Sequence, residues 1–226
     1  MKAVSVLTFV IIAGFTFCSC SKTNIAPAIG TTTYDSLPQA VRNIVPDSLI
    51  DTLKAHGMPL YVGNTPPIVN GIYLLTPYTI IYDNSGLTAP GTTINDYKLK
   101  FYNQNNTTHV INYVDTGLVG GEVDTATTAF VTGHGNFFTL YSILNGGGGG
   151  YNYTAIDIIS GELTSNGIAD YEEAYSLVSS STNTQIGADI MYALSLNATV
   201  TANYAATYRP ALSRPNNISL LNGKGR

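Results

Sequence analysis

The sequence predicts an all-β fold: a single antiparallel up-and-down barrel of about eight strands, preceded by short N-terminal helices. Three observations predict it. From Pro59 onward, polar and apolar residues alternate in several runs. Turn residues separate these runs at short intervals. The composition is that of a turn-rich β domain: 16 tyrosines, 22 glycines, no tryptophan, and only 11% charged residues.

Helical spacing occurs in one place, residues 37–56. Val41, Ile44 and Val45 fall on one face. After Pro46, Asp47-Ser48 is placed to cap a second helix, whose apolar face is Leu49, Ile50 and Leu53, and His56-Gly57 ends it. These helices are expected to cover one end or edge of a sheet.

From Pro59 onward the expected strands are 70–82, 95–105, 108–115, 121–132, 136–145, 151–162, 171–179 and 190–205. Tyr97, Leu99 and Phe101 share a face, with Lys98 and Lys100 opposite. Tyr151, Tyr153, Ala155, Asp157 and Ile159 alternate with Asn152, Thr154, Ile156 and Ile158. The turns are Asp83 to Gly86, Pro90-Gly91, Asn103 to Asn106, Gly146 to Gly150 and Asn166-Gly167. Short sequential connections favour antiparallel neighbours, with a sandwich as the alternative. The five-glycine run is expected at a hairpin tip. It lacks the Lys-Ser or Lys-Thr, and the following helix, of a phosphate loop.

The N-terminus sets the expected compartment. Lys2 precedes an apolar run from Ala3 to Phe17, followed by Cys18-Ser19-Cys20. At about 15 residues this run is shorter than the roughly 18–20 that a membrane-spanning helix needs. A positive start, an apolar core and a small residue before the cut describe a secretory signal. The segment resembles a bacterial lipoprotein signal, with Phe17-Cys18-Ser19-Cys20 as the lipobox. The resemblance implies a signal over 1–19, a lipid on Cys20 and anchoring to the cell envelope, at the outer membrane of a Gram-negative bacterium. An ordinary signal peptide with two incidental cysteines is the alternative. Residues 20–36 read as a flexible tether, 37–206 as the folded domain and 207–226 as a disordered tail. With Cys18 removed and Cys20 blocked by lipid, no thiol remains for a disulfide, a metal or a nucleophile.

The net charge is −4, and losing Lys2 with the signal makes it −5. A modestly acidic surface excludes nucleic acid as the expected partner, so membrane contact should come from the lipid.

Several stretches resemble lipocalin-like (calycin-type) bacterial surface lipoproteins. They are Leu60-Tyr61-Val62-Gly63-Asn64-Thr65-Pro66-Pro67-Ile68-Val69-Asn70-Gly71-Ile72-Tyr73, Gly135 to Tyr141, and Ile159-Ser160-Gly161-Glu162-Leu163 followed by Gly167-Ile168. Gly71-Ile72-Tyr73 is also similar to the glycine-x-aromatic start of true lipocalins, with tyrosine in place of tryptophan. The resemblance implies a small calycin-type barrel and carries no known chemistry.

No catalytic constellation, cofactor or metal site is expected. His56, His109 and His134 do not have metal spacing. No serine elbow is present. His134, between Gly133 and Gly135, reads as a strand-end or turn histidine. Glu122, Glu162, Glu172 and Glu173 read as solvated strand residues rather than paired acid–base groups. Asp157 interrupts an apolar strand and is expected to face outward. The tyrosines are the remaining signal, because an aromatic ring with a hydroxyl suits a lined cavity. Tyr73, Tyr97, Phe101, Tyr141 and Tyr153 are the candidate ligand-binding residues, with ordinary core packing as their alternative. The expected function is a membrane-tethered β domain that holds a small apolar or amphipathic ligand. The alternative is a structural or interaction subunit of the envelope that meets protein or glycan. A hydrolase ranks third.

Overall fold

The computed structural model describes residues 34–84, 86, 88–118, 123–148, 151–180 and 190–200. The expected signal 1–19, Cys20, most of the tether and the tail 207–226 lie outside the described residues.

Tyr34–Ser36 form a single 3-10 turn. Tyr34 Oη donates to the carbonyls of Arg42 and Val45, at 2.8 and 3.1 Å. Helices α1 (Gln39–Arg42) and α2 (Asp47–Ala55) follow. Pro46 rather than Asp47 occupies the cap of α2, without a side-chain bond, and Asp47 lies in the first turn, where its charge complements the helix dipole. At the other end, Gly57 N donates to Lys54 O and Met58 N to Leu53 O, closing a Schellman motif.

The rest is mostly β. The strands are β1 (Gly71–Leu75), β2 (Tyr78–Asp83), β3 (Thr93–Ile94), β4 (Tyr97–Asn105), β5 (Val110–Gly117), β6 (Val123–His134), β7 (Phe137–Gly148), β8 (Tyr151–Thr164), β9 (Gly167–Ser180) and β10 (Ile190–Val200). They form one large antiparallel sheet in the order β1-β4-β5-β6-β7-β8-β9-β10-β2-β3. β1 also pairs with β10, through Tyr73–Val200, Leu74–Thr199 and Leu75–Ala198.

One expected strand is interrupted, and a short strand precedes another. The run expected over 70–82 divides at Thr76-Pro77, where proline has no N–H for the ladder. The register continues across the gap, since Leu75 faces Ala198 and Thr79 faces Leu194. β3 and β4 likewise continue one register, with Ile94 facing Tyr78 and Tyr97 facing Leu75. The Asn-rich turn closes β4 to β5: Asn105 Oδ1 accepts from the N–H groups of Thr107 (2.9 Å) and Thr108 (3.1 Å). The glycine run spans the β7–β8 connection as expected, but its first three residues belong to the strand. Gly146, Gly147 and Gly148 are strand residues that face Tyr153, Asn152 and Tyr151. Gly146 is needed for space: a Cβ there would collide with the Tyr153 ring and the Asp124 carboxylate.

The sheet has two buried faces. One carries Tyr73, Leu75, Tyr78, Leu99, Phe101, Tyr113, Phe138, Leu140, Ile159 and Tyr171 in a single cluster. Phe101 of β4 packs edge-on against Phe138 of β7, with ring centroids 6.4 Å apart. These strands are three places apart in the sheet order, roughly 14 Å in a flat sheet at 4.7–4.9 Å per strand. The sheet therefore curls around this tyrosine-rich face.

The opposite face lies under the helices. Val41, Leu49, Ile50, Leu53, Met58 and Leu60 pack on Tyr141, Ile156, Ile158 and Ala174. The helices thus cover a sheet face rather than an end or edge. This explains the composition of β8. Ala155 to Ile159 are all buried, so the strand reads as a nearly continuous apolar run.

The segment after α2 is tied to the ends of β6 and β7. Tyr61 N donates to Thr139 Oγ1 (2.7 Å), and Thr132 Oγ1 donates to Tyr61 O (2.6 Å). Gly133 N donates to Gly63 O at 3.2 Å, and Thr65 N to Gly133 O at 3.1 Å. Gly133 has φ +150, and an added Cβ would collide with Phe137 O and lie 2.9 Å from Phe138 Cα. Gly133→Ala is expected to destabilise the domain by about 2 kcal/mol or more, because both obstacles are backbone. Urea unfolding checks this; a loss below about 0.5 kcal/mol would contradict the placement.

Candidate functional site

Strand alternation puts Tyr153, Ala155, Asp157 and Ile159 of β8 on the tyrosine-rich face. Asp157 is therefore inward, at 0% exposure, and not outward as expected. On β9 the same face carries Tyr171, Glu173 and Leu177. Glu173 is also buried, at 9%, which corrects its reading as a solvated strand residue. Ile159 lies directly opposite Glu173, and Tyr175 opposite Asp157. The two carboxyls are thus diagonal neighbours, within reach for long side chains.

Tyrosine hydroxyls surround them. Tyr113 of β5 donates to Asp157 Oδ2. Tyr171 and Tyr78 both donate to Glu173 Oε2, at 2.6 and 2.8 Å. Ser142 of β7 donates to Tyr113 Oη at 3.4 Å. Asp157 Oδ1 has no donor facing it. Further along the face, Tyr153 donates to the buried Asp124, and the buried Asp115 lies opposite Leu99.

Electrostatics decide the protonation. Burial pushes the Asp157 carboxyl well up, and the Glu173 charge pushes it further; the Tyr113 bond opposes both. Burial also raises Glu173, opposed by bonds from Tyr171, Tyr78 and Asp157. Glu173 accepts two hydroxyls and Asp157 one, so Glu173 is the better place for the charge. Burial and the Glu173 charge thus favour the neutral form of Asp157. Burial first, then the neighbouring carboxyls, raise Tyr78, Tyr113 and Tyr171 well above the usual tyrosine range, so they remain donors.

Chemically this is a proton-sharing carboxyl pair, the arrangement of an acid–base dyad. Its polar atoms are sealed among Tyr113, Tyr171, Ser142 and Ile159, all at 0% exposure. Such a pair makes the stability of the fold depend on pH. Among the described residues, no group of three or more His, Cys, Asp or Glu is placed to hold a metal.

The structure brings four of the five expected ligand residues to this face. Tyr73 donates to Val69 O at 2.8 Å, and its ring lies 5.9 Å from that of Phe101. Tyr97 is half-buried, 5.8 Å from the Tyr78 ring. Phe101 is central and Tyr153 holds Asp124. Tyr141 is separate: it belongs to the helix-covered face. Its neighbours Leu140 and Ser142 point the other way, as the strand period requires.

His134 is exposed, its Nδ1 3.1 Å from Val62 O and its ring beside Phe137. Glu172 stands opposite Ser160, and burial first, then Asp170, push it up to about 7. Glu122 and Cys20 lie outside the described residues. Tyr113, Tyr171, Tyr78 and Glu173 were missed as a group. One signal was present: two adjacent glutamates on a strand must face opposite sides, so one of Glu172 and Glu173 had to point inward.

No family model matches the chain, and no curated protein or solved structure matches it either.

Proposed function

We propose that the chain is an exported, lipid-anchored envelope protein whose domain is a closed eight-stranded, calycin-type barrel. It works as an interaction subunit rather than as a carrier of an apolar ligand inside the barrel. The pairing of β1 with both β4 and β10 supports closure, with β1–β2 and β3–β4 each counting as one interrupted strand. The lipobox-like Phe17 to Cys20 supports the anchor, and the resemblance to lipocalin-like surface lipoproteins agrees with both.

One observation carries the choice between carrier and subunit. Leu99, Phe101, Ile111, Tyr113, Phe138, Leu140, Ile159 and Tyr171 are each at most 1% exposed. A void large enough for water would give these side chains accessible surface. Their rings meet one another instead, with Phe101 5.8 Å from Tyr113 and 6.4 Å from Phe138. An apolar ligand of ordinary size needs a few hundred Å³. The tyrosines are core, and contacts with other molecules fall to the outer surface and the strand ends.

Two measurements test the reading. Labelled palmitate should enter the wild-type chain and be lost in Cys20→Ala; label retained in that variant removes the anchor. Native mass spectrometry of the gently extracted protein should show the lipidated polypeptide alone. A retained small apolar molecule at one per chain would restore the carrier reading.

A further inference from the structure

Where β7, β8 and β9 run together at the Gly146 end, the surface sinks into an open recess of about 650 Å³. Its side-chain lining is Asn145, Asn152, Thr154, Ser179 and Ser180, and Gly146 and the edge of Tyr153 form its floor. The row is set by register: Asn145 faces Thr154, and Thr154 faces Ser179. Amide and hydroxyl groups therefore repeat across three strands at roughly 4.7–4.9 Å. Thr154 Oγ1 donates to Asn145 Oδ1 at 3.2 Å. That bond aims the Asn145 amide as a donor and leaves the Thr154 oxygen as an acceptor.

The chemistry of the lining selects the ligand class. Among the described residues, no charged side chain lines the recess. The Asp124 carboxylate lies behind Gly146 and is engaged by Tyr153. An ion would find no countercharge, and an apolar molecule would leave the amides and hydroxyls unpaired. A ligand with many neutral donors and acceptors fits, and the volume lies within the range of small-molecule sites. We propose that this recess binds a neutral carbohydrate, with Asn145, Asn152, Thr154 and Ser179 as the hydrogen-bonding row. The proposal rests on the interaction-subunit reading and names one class of partner for it.

The test uses the full lipidated chain in detergent and two probes, maltotriose and triacetylchitotriose, in saturation-transfer NMR. Binding of at least one probe with a Kd of about 1 mM or tighter is expected. Ser179→Trp, which fills the recess, should weaken it about tenfold or more, and so should Asn145→Ala. Thr79→Ala, elsewhere on the sheet, should leave it unchanged. The probe that binds separates a glycan read by hydroxyls from one read by acetamido groups. Absence of transfer from both sugars overturns the proposal. So does unchanged binding in both recess variants with wild-type melting. The palmitate and native-mass results are read independently, so failure here leaves the anchored, filled domain standing.

Discussion

Raising the pH from about 5 to about 7 lowers the melting temperature of the domain by about 5–10 °C. Most folded proteins gain stability over this interval, because their carboxylates are better solvated or paired when folded. Here the sign is reversed. Burial first, then the Glu173 charge, raise the Asp157 carboxyl well above its ordinary 3.8, so the folded chain holds a proton that the unfolded chain releases. The stabilisation is complete below about 4 and declines as pH rises toward the folded value, by about 1.4 kcal/mol per pH unit for each proton held. Glu173 shifts in the same direction, and Glu172 is pushed up to about 7 by burial and then by Asp170, which places its loss of stabilisation in this window.

No described group reverses this. Around the pair, β5 contributes Tyr113 and Asp115, β6 Asp124, β7 Ser142, β2 Tyr78, β4 Tyr97, and β9 Tyr171 and Tyr175. None is basic. The remaining strands, β1, β3 and β10, contain no charged residue. Asp157→Asn should reduce the slope, leaving the part that Glu172 and Glu173 contribute. The amide is neutral at every pH, still accepts from Tyr113 and still donates to Glu173. Melting followed by circular dichroism across this range checks both statements. A melting temperature that rises toward neutrality, or an unchanged slope in Asp157→Asn, would contradict them.

Phe101→Ala should cost about 3–5 kcal/mol. Phe101 is 1% exposed and touches the rings of Tyr73, Tyr113 and Phe138. Removing it leaves a cavity between strands on opposite sides of the curled sheet, where closely paired backbone prevents collapse. If these rings lined a hollow instead, the truncation would only widen it, and the cost would fall below about 1 kcal/mol. Urea unfolding with an unchanged m-value separates the two outcomes.

The elements that could be read in the sequence are those whose burial follows a simple period. The apolar face of α2 and the Tyr97-Leu99-Phe101 alternation came directly from spacing, as did the turns at Asn103 to Asn106 and Asn166-Gly167. β8 was harder, because helices on one side and the curled sheet on the other bury Ala155 to Ile159 completely. With both faces covered, alternation no longer distinguishes them, and Asp157 was placed outward. Tyr141 was misplaced for a related reason: an aromatic residue suits either buried face, and only the helix cover shows which one it serves. The carboxyl–tyrosine cluster joins β2, β5, β8 and β9, residues up to 95 apart in sequence. No local pattern carries such a contact. Sequence could show that one of Glu172 and Glu173 turns inward, and sheet curvature then brings it to Tyr78.

The filled interior is tested most directly by the titration of Asp157 itself, followed as the carboxyl carbon shift of ¹³C-labelled aspartate in the wild-type protein, with Asp157→Asn assigning the signal. A sealed, ring-filled interior predicts that Asp157 titrates well above the ordinary carboxylate range, because burial and then the Glu173 charge raise it. Titration near 4, as for a solvated carboxylate, would mean that water reaches the interior, and the hollow, ligand-holding domain would be the better account.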